Sequence, residues 1–330
     1  MQVPSIMDMP SDILLNIVEH MDTATCARFM ATNKGLASFI KSYEHSIAQT
    51  QVAKFALPPP GNILSSSLDE RVVCIKNTFS IVGELELRHH RIEYLLNKCP
   101  NIIALSSPPW LPPLTENQQV RLVCILRRAL HQCDAVADIA ANEPCTPMPL
   151  KSYDLIQFGV WALSPHNEEL RELDPFTNVN ARPAQIEYIR SLPLEDIAGI
   201  FLLISILGYS LTQNRGNMES DPEIYERRTL FEECVLRHGT WFIWARAIDR
   251  SEMREMAGHM ISAGMVELVE WEAGNQNILP GLKMTLMDRF RGLVHGDAKL
   301  PEKITEAVQK LVLRDDEEHT GSEPDVDDEQ

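Results

Sequence analysis

Aromatic residues make up only 6% of this 330-residue chain, so its apolar content rests on Leu, Ile, Met and Ala. Strands favour aromatic and β-branched side chains, and this shortage argues for helices rather than sheets. Positive charge is also scarce. There are 30 Lys and Arg against 47 Asp and Glu, a formal net charge of −17. An acidic chain repels phosphate backbones and anionic headgroups, which disfavours a general nucleic-acid or membrane-surface binder. Nine of the acids lie between Asp315 and Gln330, a stretch with no Lys or Arg, and the remainder carries about −8. That remainder is ordinary for a soluble protein. The terminal stretch is nearly free of apolar residues and is expected to be a solvated, disordered tail.

Cysteine pairing is missing too. The seven cysteines, Cys26, Cys74, Cys99, Cys124, Cys133, Cys145 and Cys234, are odd in number, and no two are spaced Cys-x-x-Cys. This excludes a disulfide framework and a structural zinc site and points to a reducing compartment. Several of them, such as Cys124 and Cys133, sit among aliphatic residues and are expected to pack as small hydrophobes. The first residues show no basic segment followed by an apolar run, and no Asn-x-Ser/Thr acceptor occurs, so an intracellular chain, in cytoplasm or nucleus, is expected. The longest uncharged run, 197–214, is near the lower length limit for a membrane span. Glu195 and Asp196 precede it and Gly and Ser interrupt it, so a buried core helix is expected there rather than a span.

The sequence is equally poor in catalytic signatures. It has no Gly-rich phosphate loop, no dinucleotide fingerprint and no Gly-x-Ser-x-Gly elbow. Ser38-Phe39-Ile40-Lys41 has Ser-x-x-Lys spacing without its companion motifs. Glu86 and His89 have the spacing of a di-iron ligand pair, but such sites need a second copy, and the two are read as a solvated helix face. Arg237, His238, Trp241 and Trp244 form an aromatic-rich cluster, read as core in preference to a ligand pocket. No catalytic residue, cofactor or metal ligand is expected.

What remains is a helical pattern long enough to bury roughly 75% of the surface its unfolded form exposes. From Met9, the residues Ile13, Leu14, Ile17, Val18 and Met21 recur at helical spacing on what reads as one face. Pro10 suits a first turn and Asp12 the positive end of the dipole. Asp22-Thr23 is expected to cap a second helix with Cys26, Phe29 and Met30, and Asn33 to Gly35 marks the break before a third with Leu36, Phe39, Ile40 and Tyr43. Three helices this short leave apolar surface for the body or a partner to cover.

These residues resemble the F-box. Met9-Pro10 stands for its Leu-Pro, Asp12-Ile13-Leu14 for its acid and aliphatic pair, Ile17 for the next aliphatic, and Met30 to Leu36 for its last segment. Met9 and Asn33 depart from the usual Leu and Cys. The resemblance covers about an eighth of the chain, whose general style is similar to that of divergent fungal F-box proteins. It implies docking on a Skp-type adaptor of a cullin–RING ubiquitin ligase. The residues implied at that contact are Met9, Pro10, Ile13, Leu14, Ile17, Met21 and Leu36. The ligase chemistry would then lie in other subunits, and the body would select an unknown protein substrate.

The rest of the chain reads as an irregular multihelical body. A helix from Ser46 is expected to end before Pro58-Pro59-Pro60-Gly61, and a long helical pattern runs from Ser67 to Cys99 through Val72, Val73 and Ile75 with a soft point at Gly83. Pro108 to Pro113 is a rigid connector, read as a brace with Trp110 packed down. Thr115-Glu116-Asn117-Gln118 has capping-box spacing and opens a helix to about Ala141. Helices follow near 153–163, 183–192 and 197–214, from Pro222 to about His238, and from Asp249 to Trp271. Gly274 to Leu282 reads as a loop, and Pro301 opens the last helix. No repeat of 20 to 50 residues is visible, so the common repeat-built substrate readers are missing by signature.

The expected architecture is all-α. It comprises an adaptor-binding module over 1–50, a helical body over 51–314 with an internal break at 106–114, and an acidic tail over 315–330. The alternative is a helical scaffold or motif-free enzyme in which residues 9–43 are part of the core.

Overall fold

The fold is taken from a computed structural model, which describes residues 6, 9–65, 73–97, 110–143, 179–213, 222–247, 257–258, 260–261, 281–295 and 299–313. The acidic tail, the helix expected near 153–163 and most of the one expected from Asp249 lie outside the described residues. Among the described residues the fold is all-α apart from one small hairpin.

Four short helices open the chain: α1 (Ser11–Glu19), α2 (Thr23–Thr32), α3 (Lys34–Ser42) and α4 (Glu44–Val52). Their boundaries follow from local chemistry. Asp22 accepts a hydrogen bond from the Thr25 N–H (2.6 Å) and caps α2, and Asn33 accepts one from the Gly35 N–H (2.7 Å) and caps α3. A carboxylate or amide oxygen here satisfies donors that the helix itself leaves unpaired. The module core is Val18, Cys26, Ile40 and Ile47, with Leu15, Met21, Phe29, Met30 and Phe39 against it. Buried Gln51 on α4 ties the helices together by donating to the Val18 and Met21 carbonyls (3.2 and 2.7 Å).

Two sequence expectations are corrected just beyond the module. α4 ends at Val52, well short of the prolines, because Phe55 folds back onto the core and Lys54 Nζ donates to the Glu19 carbonyl (2.5 Å). The helix expected from Ser67 onward begins only at Phe79. Before it, Ile63–Leu64 (β1) and Val73–Cys74 (β2) pair antiparallel, Ile63 opposite Cys74 and Leu64 opposite Val73. The β-branched residues at Val73 and Ile75 suit extended backbone. Asn77, at φ 59°, then reverses the chain in a left-handed conformation that Asn tolerates. α5 (Phe79–Asn97) passes through Gly83 without a break.

The body is built around α6 (Glu116–Asp138). Its capping box is formed as expected: the Thr115 hydroxyl accepts from the Gln118 N–H and the Gln118 side chain from the Thr115 N–H. A 3-10 turn extends it to Ala141. α6 touches α5, β1, α7 (Arg182–Ser191), α8 (Leu194–Gln213), α9 (Pro222–Ala247) and α11 (Leu300–Leu313). α8 is the apolar run seen in the sequence. It is wrapped as a core helix, with Ile197, Ile200, Leu202 and Leu203 fully buried. No single helix among the described residues is long and apolar enough to cross a membrane. α10 (Leu282–Leu293), which the sequence reading left out, packs Leu282, Leu286 and Phe290 against α7, α8 and α9. Leu111 is buried, Trp110 packs on the core, and its carbonyl accepts from Gln309 (2.9 Å), so this part of the proline segment acts as the expected brace.

Charged residues are buried inside this body. Arg88 reaches both carboxylate oxygens of Asp138 (2.7 and 2.8 Å), the Leu64 carbonyl (2.6 Å) and Glu84 (3.2 Å). The Leu64 N–H donates to Asp138 in return (3.0 Å), which pins the hairpin to α5 and α6. Asp134 receives the Thr240 N–H (2.7 Å) and hydroxyl (2.9 Å) just after a kink in α9 at Gly239. Gly239 has φ 63°, and a Cβ there would overlap an Asp134 oxygen, so conformation and space both require glycine.

Candidate functional site

The sequence puts Ile13, Leu14, Ile17 and Val18 on one face of α1, and the fold splits that face in two. Leu14 and Val18 turn inward, at 3% and 0% exposure, while Ile13 and Ile17 remain at the surface at 48% and 37%. Both pairs have i, i+4 spacing, so each forms its own stripe, about one residue's rotation (roughly 100°) from the other. Pro10, the N-cap of α1, is exposed beside the outer stripe and its carbonyl accepts the Leu14 N–H (3.1 Å).

The remaining residues expected at the adaptor contact divide the same way. Met9 is half-buried. Met21 is half-buried and packs on the Val18–Cys26–Ile40–Ile47 cluster. Leu36 is 1% exposed. Leu14 and Leu36 are therefore buried in the free chain, while Pro10, Ile13 and Ile17 are exposed. The fold also exposes Ile6 (40%) and Tyr43 (42%), which the sequence reading did not place at the site. Tyr43 stacks on Phe39 one turn back, with ring centroids 4.8 Å apart, and this i, i+4 aromatic pair was the visible signal.

Asn33 departs from the expected Cys, and the structure gives that departure a local role: its side chain caps α3 while its backbone closes α2. Glu86 was read as part of a solvated face. It instead accepts from the Thr23 N–H (3.0 Å) and hydroxyl, while His89 stays exposed. Cys124 is exposed rather than packed among its aliphatic neighbours, whereas Cys26, Cys74, Cys133 and Cys234 are buried. The aromatic cluster expected as core is core: His238 and Trp241 are buried, Arg237 pairs with Glu233 (2.8 Å), and Trp244 meets Tyr94 edge-on at 5.1 Å.

Several titratable groups displaced from their ordinary range are tied into helix contacts. Burial raises Asp134 and Asp138, partly offset by Arg88 and by hydrogen bonds from Thr240 and Leu64. Burial also pushes Glu233 up. Arg237, Arg182 and the N–H groups of Lys283 and Leu282 outweigh it and bring this carboxyl down to about 2. Burial pushes the Cys74 thiol up to about 11. A high thiol pKa leaves little thiolate, the reactive form. Among the described residues, no group of three or more His, Cys, Asp and Glu is placed to hold a metal ion.

The module of short helices thus keeps one aliphatic stripe in its core and shows another beside a proline. Residues 6–45 match the family model of the F-box domain. Among curated proteins and solved structures, none matches the chain. F-box domains in general bind Skp-type adaptors and, through them, cullin-based ubiquitin ligases.

Proposed function

We propose that the protein is a substrate-recruiting, non-catalytic subunit of a Skp–cullin–F-box ubiquitin ligase. The observation that carries this reading is the outer stripe of Pro10, Ile13 and Ile17 on a segment with the F-box pattern. Apolar side chains this exposed cost little in the free chain and gain on burial, roughly 1 kcal/mol or more for the remaining surface of each isoleucine. Such a stripe suits the apolar groove of a helical partner. Met9 flanks the stripe, while Leu14, Met21 and Leu36 hold it in shape from beneath. The helical body, about 51–314, would present a protein substrate, and the complex would work where such ligases act, in cytoplasm or nucleus.

The test is capture of a purified Skp-type adaptor by the full chain. Wild type should bind it. Ile13→Asp with Ile17→Asp should bind at least 100-fold more weakly while its helical circular dichroism is unchanged. Equal binding by the two proteins, or binding by neither, overturns the proposal.

A further inference from the structure

The module and the body meet through an exchange of carboxylates. Glu86, on α5 of the body, accepts from the N–H and hydroxyl of Thr23, the first residue of α2 in the module. Glu44, the first residue of α4 in the module, accepts from the N–H of Phe79 (2.9 Å), the first residue of α5. Each carboxylate thus sits at the N-terminus of a helix across the boundary. There the first N–H groups have no partner in their own helix and the dipole is positive. α2 already has a local cap in Asp22, so Glu86 is a second carboxylate at an end that one would serve.

The apolar contacts cross in the same reciprocal way. Phe79 of α5 packs against the module cluster of Val18, Cys26, Ile40 and Ile47. Ala48 and Val52 of α4 belong to the cluster of Ile63, Cys74, Ile81, Val82 and Leu85. The module boundary expected at residue 50 falls inside α4, between these two residues.

We infer that Glu44 and Glu86 are positioning residues whose reciprocal capping locks α1–α4 onto α5. The module and the first body helix then form one rigid unit, and the angle between the outer stripe of α1 and the helical body is fixed. The importance of that angle rests on the docking reading above. The rigidity itself belongs to the free chain, so the two ideas fail separately.

The experiment uses the full chain with spin labels on keto amino acids at two exposed positions, Ser38 on α3 and Asn117 on α6, and measures their distance distribution by double electron–electron resonance. Wild type should give one narrow distribution. Glu44→Ala with Glu86→Ala should at least double its width or add a second population. Glu86→Gln alone, which keeps an oxygen for the Thr23 N–H, should stay narrow. If the double alanine variant loses its helical circular dichroism, Glu44→Ala with Glu86→Gln, which removes the acceptor of the Phe79 N–H, replaces it and must broaden. A broad wild-type distribution, or a removal of both carboxylates that leaves the width unchanged, overturns the inference. Adaptor affinity of the folded variants should stay within about threefold of wild type, since the outer stripe is untouched. A wild type that is narrow yet fails to bind adaptor would overturn the docking reading and leave the rigid unit standing.

Discussion

In the N-terminal module the buried side chains are Leu14, Val18, Cys26, Leu36, Ile40, Ile47, Ala48 and Val52, with Gln51 the polar one among them. In the body, by contrast, Glu84, Arg88, Arg91, Asp134, Asp138 and Glu233 are all less than a tenth exposed. The module thus relies on a small apolar core with neutral or surface caps. The body turns its polar specificity inward, where a charge without its partner is costly. A helix pair held by apolar contact alone tolerates sliding. A pair joined by Arg88 and Asp138 has one geometry in which both charges are satisfied.

The sharpest way to break this comparison is at the kink of α9. Gly239→Ala places a Cβ against Asp134 and forces a left-handed backbone, and should cost about 4 kcal/mol, read from the urea midpoint. A loss below about 1 kcal/mol would mean that the Asp134–Thr240 contact is not holding α6 to α9.

Glu233→Gln comes next. This carboxylate joins Arg182 and Arg237 and accepts the N–H groups of Leu282 and Lys283 (both 2.9 Å), so it caps α10 from α9. Its folded pKa lies below its ordinary 4.5, so its stabilisation is full above pH 4.5 and is lost as the pH falls through about 2. At neutral pH the variant should be less stable by roughly 3 kcal/mol, and the gap to wild type should close between pH 4.5 and 2. A gap independent of pH would show that shape rather than charge matters there.

The module should respond more mildly. Val18→Ala, in a fully buried site, should cost about 2 kcal/mol by calorimetry, with no pH dependence of its own. A pH-dependent loss would erase the contrast between the two regions.

Some of this was legible in the sequence because its signals are local. Thr115 to Gln118 announces α6, Pro222 opens α9, and the uncharged run from Ile197 gives the buried helix α8. α10 was missed because its start is marked by Gly281 and by a carboxylate about fifty residues away, neither of which is a local cap signal. The site was half legible for a similar reason. Spacing alone puts Ile13, Leu14, Ile17 and Val18 together on one face, and which of them turn inward is decided by α4, through Ile47 and Gln51. The role of Glu86 was hidden altogether, since its partner Thr23 is sixty-three residues away.

The placement of the cysteines has a practical consequence. Cys26 lies in the module core, Cys74 at the junction, and Cys133 and Cys234 in the body core, while Cys124 is open to solvent. The chain therefore carries natural clocks for its own breathing. Under a pulse of alkylating reagent, Cys124 marks the unhindered rate. The delay at each buried thiol then measures how often that neighbourhood opens, region by region, without a single substitution.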